Sequence, residues 1–304
     1  MSLLEKERED NMSSLYKKNK KFYLLLILPA LLLYSFAMLA PLFGGTIPYS
    51  FLKWNLMSGK KAFVGFDNYV KLFSDAKFWT SFGFNLFVGA FTIIGSNVFG
   101  FILAYFLNEN IKAKGVIRAM FFIPNIVSAV LVSFIWVFIF TNAMPALGGA
   151  LGWDWLANIS WFGTPSMATV TIIVVSIWQN IGFLMIIYTG LQTIPKDVME
   201  SAELDGCSGL KKVLKIELPL LMPTVTINLF VSISGAFKSF DIPNAMTGGG
   251  PYGSTMPVAM NIYQEAFTKY NLGYGSAKSV ILFLTVAAVT LIQLYCTRKK
   301  EVEY

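Results

Sequence analysis

The chain alternates long apolar runs with polar intervals. Runs at about 22–43, 81–107, 116–140, 168–191, 220–241 and 275–297 are each long enough to cross a bilayer as a helix, which predicts an all-α membrane protein of six transmembrane helices. The first run is too long and unbroken for a cleavable signal peptide, and no A-x-A site follows it, so it reads as a retained anchor. In the second run Asn85, Gly89, Thr92, Ser96 and Gly100 fall on one helical face, and in the fifth Thr224, Asn228, Ser232, Gly235 and Ser239 do the same. In lipid, a small polar face packs against another helix or lines a cavity. Pro124, Asn125 and Ser128 predict a kink in the third run, while Trp178, Gln179 and Asn180 lie near mid-depth in the fourth. The intervals 44–80, 141–167 and 242–274 read as loops on one side. Residues 63–79 suggest an interfacial stretch in the first of them, and Lys238 and Asp241 are spaced to pair near that surface.

Charge decides which side faces the cytoplasm. Lys17, Lys18, Lys20 and Lys21 precede the first run, Lys112, Lys114 and Arg118 follow the second, and Arg298, Lys299 and Lys300 follow the last. Basic residues mark the cytoplasmic ends, so both termini, including a polar tail over 1–21, are expected inside. The lysines at 53, 60, 61, 71 and 77 run against this statistical rule, but the other segments agree with one another. Composition points the same way: of 304 residues 55% are hydrophobic and only 13% charged, where soluble chains run near about a quarter charged. The net charge of +7 sits at the ends of apolar runs, which suits anionic lipid and disfavours nucleic acid. The absence of histidine excludes its acid–base and ligand chemistry, and Cys207 and Cys296 have no disulfide or metal spacing.

One polar interval stands apart. Residues 195–219 hold five of the eleven acids found between the first and last apolar runs, yet membrane-crossing runs flank them on both sides; six spans with both ends inside place this interval in the cytoplasm. Asp197 and Glu200 suit the positive end of a short helix over 199–204, and Gly206 supplies a tight stop. Lys211, Lys212 and Lys215 then follow at helical spacing, leaving Leu210, Val213, Leu214 and Leu218 for an apolar face, and Pro219 and Pro223 fit the first turn of the fifth span. Helix, glycine break and helix make a compact knob. Its Glu200, Ser201, Ala202, Asp205 and Gly206 are followed by Ile216, Leu218 and Pro219, the spacing E-x-A-x-x-x-G, nine residues, I-x-L-P. This resembles the EAA loop of ABC-importer permeases, which docks on the ATP-hydrolysing subunit. The resemblance assigns ATPase coupling to those eight residues, with Ser201 standing where the family usually has alanine.

Three more stretches extend the resemblance over about 22–300. FVGFDNYVKLFSDAKFW from Phe63, WQNIGFLMIIYTGLQTIP from Trp178 and FDIPNAMTGGGPYGST from Phe240 are similar to segments of carbohydrate permeases of the maltose, multiple-sugar and glycerol-phosphate type. The resemblance implies a type I ABC importer transmembrane domain in a bacterial cytoplasmic (inner) membrane, moving a sugar or oligosaccharide by alternating access. It further implies a second permease subunit in a heterodimer, two ATP-binding subunits that use ATP and Mg, and an extracellular solute-binding protein. The chain itself would bind no cofactor or metal and catalyse no reaction. Sugars ask for amides, hydroxyls and aromatic faces; Trp178, Gln179, Asn180, Asn228 and Ser232 meet that description, although helix-to-helix packing explains the same side chains. Gly248–Gly250 lacks the G-K-[ST] ending of a phosphate loop. An ion-coupled secondary carrier is a rival, weakened because no Asp or Glu lies away from the span ends. An ABC permease for a non-sugar solute such as glycerol phosphate, and an intramembrane enzyme, remain as alternatives, the latter without a paired acid or base for its serines.

Overall fold

In the computed structural model, residues 22, 25–109 and 111–299 are described, so the expected tail at 1–21 and the last residue of the basic stop, Lys300, lie outside them. The chain runs through α1 (Leu25–Ser50), a two-stranded antiparallel ribbon of β1 (Leu52–Trp54) and β2 (Lys61–Phe63), α2 (Asp67–Phe73), α3 (Ala76–Phe106), α4 (Lys114–Ile126), α5 (Ala129–Leu151) and α6 (Pro165–Ile187). It continues through α7 (Lys196–Leu204), α8 (Gly209–Leu220), α9 (Met222–Phe237), α10 (Asp241–Thr247), α11 (Val258–Tyr263) and α12 (Leu272–Arg298). Among the described residues α1, α3, α5, α6 and α12 are long and apolar enough to cross a membrane, and the bent pair α8–α9 brings the number to six.

The helices depart from the apolar runs where local chemistry overrides hydropathy. Helix α1 carries on through a π turn at Leu42–Thr46 to Ser50, past the point where a loop was expected. Helix α3 starts at Ala76 rather than 81, because the Asp75 carboxylate accepts from the amides of Lys77 (3.0 Å) and Phe78 (3.1 Å), an N-cap. The expected third span at 116–140 is two helices. Val127 turns extended (ψ 141°) between α4 and α5, and α5 runs on to Leu151, through residues expected to be loop, until Gly152 stops it at φ 66°. The Gln179 amide compensates the break by donating to the carbonyls of Pro124 (3.4 Å) and Val127 (3.3 Å). The expected fifth span at 220–241 ends at Phe237, and α8 meets α9 at a bend of 78°. Pro223 lies in the first turn of α9, but Pro219 lies across the bend, in α8, so the two prolines bracket the corner instead of sharing a turn.

Packing relies on the small residues that the stripes supply. Helix α3 lies along α6, where a Cβ on Gly100 would sit 3.1 Å from the Leu184 Cβ. It meets α9 where a Cβ on Gly89 would sit 3.2 Å from that of Ala236. A Cβ on Gly182 would collide with the Phe121 carbonyl, so α6 and α4 touch backbone to backbone. Toward the α7 end, Ala104, Leu107, Met185, Tyr188, Leu191, Ile194 and Leu221 form one apolar cluster; toward the other end Phe84, Val88, Val132, Ile172, Val175 and Ile242 form another. The apolar side chains of α1 are almost all exposed, the arrangement expected where lipid covers them.

Candidate functional site

The polar interval folds as two short helices, the first beginning at Lys196 rather than 199, and the turn between them is built by backbone chemistry. Gly206 sits at φ 72°, the left-handed conformation that glycine adopts without a Cβ clash. Its amide donates to the Glu203 carbonyl (3.0 Å) and that of Cys207 to Ala202 (2.9 Å), the paired bonds of a Schellman stop, with Ala202 and Cys207 buried against the knob as its apolar contact. Glu200, Ser201, Asp205 and Gly206 are exposed, the Ser201 hydroxyl donating back to the Asp197 carbonyl at 2.8 Å; Ile216, Leu218 and Pro219 are half-buried where α8 turns toward α9. Lys212 ties α8 to α7 by an ion pair with Glu203 at 2.7 Å, which also raises its own pKa. The apolar face expected from Leu210, Val213, Leu214 and Leu218 does not form as one surface. Val213 turns inward, while Leu210 and Leu214 point out beside the exposed Lys211 and Lys215. Glu217, which the spacing treats as a variable position, is buried with Oε2 lacking a hydrogen bond, and burial pushes its carboxyl upward.

Helices α3, α6 and α9 enclose a cavity of about 260 Å³. Asn180 and Ser232 line it, together with Asn85, Thr92 and Ser96 of the α3 stripe, and Lys238 and Asp241 lie on its wall without an ion pair between them. The Thr92 hydroxyl oxygen is buried without a hydrogen-bond partner among the described residues. Of the remaining candidates, Gln179 is committed to the α4–α5 break, and Trp178 packs edge-on against Trp136 at 5.4 Å beside the apolar cluster. Asn228 is fully buried below the cavity, beside Tyr188. So the structure brings two of the five together on the cavity wall and leaves Trp178, Gln179 and Asn228 off it, the Asn228 amide buried without a hydrogen bond among the described residues. A residue that the stripe skips by one position, Asn97, joins the walls: its Nδ2 donates to Ser232 Oγ (3.1 Å) and its Oδ1 accepts from the Tyr188 hydroxyl (2.9 Å).

A second polar centre lies at the end of the bundle away from the knob. Lys278, 1% exposed in α12, places Nζ 2.9 Å from Asp75 Oδ2, 2.8 Å from Asn261 Oδ1 and 3.5 Å from Glu265 Oε2. The Tyr274 hydroxyl donates to the same Asp75 oxygen at 2.7 Å, and Lys269 and Asn271 complete Glu265 at 2.8 and 3.0 Å. Burial alone would raise both carboxyls; the bonds from Lys278 and Tyr274 hold Asp75 at about 2, and those from Lys269 and Asn271 hold Glu265 below the usual carboxylate range. One lysine thus clamps α3, α11 and α12 together. A single cation four residues into an apolar run was the sequence signal for it.

Comparison with known proteins fits this arrangement. The family model described as "Binding-protein-dependent transport system inner membrane component" matches residues 96–302. The chain is 35% identical over 287 residues, 94% of its length and 97% of the relative's, to the probable starch degradation products transport system permease protein AmyD of Thermoanaerobacterium thermosulfurigenes. It is 36% identical over 263 residues, 86% and 90% of the two lengths, to the multiple sugar-binding transport system permease protein MsmF of Streptococcus mutans. Its fold is similar, at TM-score 0.78 and 20% identity over 94% of this chain and 99% of the other, to a chain in the crystal structure of a bacterial ABC transporter involved in the import of the acidic polysaccharide alginate.

Proposed function

Because the chain belongs to the binding-protein-dependent transport system inner membrane component family, we propose that it is the multi-pass permease subunit of a bacterial ATP-driven sugar importer. It catalyses no reaction; separate subunits, two per complex, hydrolyse ATP with Mg. The knob at 195–219 faces the cytoplasm and docks on one of these, and both chain termini lie on the same side. A second, related permease completes the pathway, and an external binding protein delivers a sugar or short oligosaccharide to the opposite face.

The observation that carries this reading is a mechanical connection. The knob and one wall of the cavity are consecutive pieces of chain: α8 turns into α9 at Leu221, and α9 presents Ser232 and Gly235 to the cavity. Force applied at Glu200 and Gly206 therefore reaches the cavity through α8 and the corner at Leu221 into α9, an unbroken stretch of chain. Apart from Lys238 and Asp241 on the wall, the polar side chains there are amides and hydroxyls, the chemistry a neutral polyol requires. The test is to purify the assembled complex, identify the solute that its binding protein retains, and measure uptake of that solute into sealed vesicles. Uptake that persists without ATP and collapses with an ionophore would replace this reading by an ion-coupled carrier.

A further inference from the structure

Helix α8 carries two rows of side chains that none of the described residues covers. Leu210 and Leu214 are 73% and 55% exposed, and Lys211 and Lys215, each one position further on, are exposed beside them. The opposite face is fixed inward by the Lys212–Glu203 pair at 2.7 Å and by buried Glu217. The orientation of the helix is set by the 78° bend: where α9 crosses the membrane, α8 runs close to the membrane plane at its inner end. The knob also divides its charge. Helix α7 and its cap expose Asp197, Glu200, Glu203 and Asp205, whereas the uncovered face of α8 offers Lys211 and Lys215. An anionic leaflet attracts the second set and repels the first, which favours α8 toward lipid and α7 away from it.

We infer that the Leu210–Lys211–Leu214–Lys215 face of α8 lies on the inner leaflet and binds anionic phospholipid. The leucines enter the boundary between headgroups and acyl chains, and the lysine stems run along the surface with their ammonium groups at the phosphates. This contact fixes the membrane side of the knob and so presents the acids of α7 to the ATPase. It rests on the inner-face placement of the knob proposed above.

The experiment uses the full complex in nanodiscs of phosphatidylcholine with or without phosphatidylglycerol. With Cys207→Ala and Cys296→Ser as background, Leu214→Cys, and separately Leu210→Cys, reports its exposure through the rate of labelling by a neutral, water-soluble maleimide. Labelling is expected to be slow with the anionic lipid and faster without it. Lys211→Gln with Lys215→Gln should restore fast labelling in the anionic discs, by up to about 30-fold for two lysines at an anionic surface. Equal rates in both lipids overturn the inference, and so does protection that survives in neutral lipid but disappears when the ATPase subunits are stripped away, which would put this face on the ATPase. Co-purification of the ATPase and ATP hydrolysis by the same samples test the transport reading separately, since labelling reports the lipid contact even where hydrolysis is absent.

Discussion

Replacing Gly206 by Asp separates the docking of the knob from its folding. At φ 72° an ordinary side chain adds about 1–2 kcal/mol of backbone strain, less for Asn and Asp, which tolerate this region. A Cβ there meets nothing within 4 Å, and the bonds of the turn are backbone bonds at 2.9 and 3.0 Å that the substitution leaves in place. Gly206→Asp is therefore expected to reach the membrane at close to the parent level. The loss falls on the partner: a carboxylate at the exposed tip must be covered without a counter-charge, which costs about 2–5 kcal/mol, or roughly 30-fold to a few thousand-fold in docking. Gly206→Asn has nearly the same shape and backbone tolerance without the charge, so it should retain more of the ATPase. The assay is ATP-dependent uptake and co-purified ATPase at matched membrane level. Normal uptake by Gly206→Asp at normal level would refute docking through this turn, and equal loss of membrane protein in both variants would show that the turn matters for folding instead.

Lys278→Met leaves the buried Asp75 and Glu265 carboxylates without their shared cation and should destabilise the protein by about 3–5 kcal/mol, seen as a lower midpoint in detergent melts; adding Asp75→Asn should recover part of it, and no loss would mean the clamp is incidental. Asp75 is held at about 2 against an ordinary 3.8, so the folded state binds fewer protons between those values: its stabilisation is complete above about pH 4 and is lost as the pH falls toward 2. The difference in melting temperature between the parent and Asp75→Asn should therefore narrow over that window, and a constant difference would contradict the assignment. Gln179→Leu and Asn180→Ala divide two adjacent amides: the first should lower stability by about 1–3 kcal/mol, by leaving the α4–α5 carbonyls unpaired, while the second should raise the KM for uptake with little change in stability. Matching effects from the two would refute the separation.

Hydropathy predicts where helices lie because an apolar run in lipid has only a helix in which to satisfy its backbone. It is a scalar, however, and carries no direction, so the 78° corner between Leu220 and Met222 had no reading, and Pro124, Asn125 and Ser128 marked a kink rather than the full break at Val127. Gly206 was legible because a left-handed stop has one preferred residue. Gln179 and Asn180 were not separable by type: adjacent on a helix, they point about 100° apart, and only the neighbouring α4 decides that the first bonds backbone and the second meets the cavity. The continuation of α5 to Leu151 ran against a Gly-rich composition that reads as loop, and its packing against the turn at Asp154–Ala157, where Gly148 lies on the Ala157 backbone, outweighs that propensity. Lys278 stood in plain view as a cation in an apolar run, but its partners lie at 75, 261 and 265, and the first is about two hundred residues away, beyond any local pattern.

The walls of the cavity differ in how they are joined, and the difference locates the movement. Helices α3 and α6 meet at Gly95 and Gly100, where even one methyl would press on Ile177 or Leu184, so sliding there meets repulsion at once. Helices α3 and α9 share one such contact at Gly89, and their polar links are single hydrogen bonds, Asn85 to the Ala236 carbonyl at 3.0 Å and Asn97 to Ser232 at 3.1 Å, beside a loose ring contact of Phe82 with Phe237 at 6.5 Å. Such bonds exchange for bonds to water or sugar hydroxyls at a net difference of about 1 kcal/mol or less. If the knob docks on the ATPase as proposed, a pull on it is expected to move α9 against a fixed α3–α6 pair, freeing Ser232 and Asn85 as the helix leaves. Paired spin labels on the three helices, read with and without nucleotide in the assembled complex, should show the α3–α9 distance changing while α3–α6 stays constant. The opposite pattern would place the hinge between the glycine-packed helices and leave the connection through Leu221 without a mechanical role.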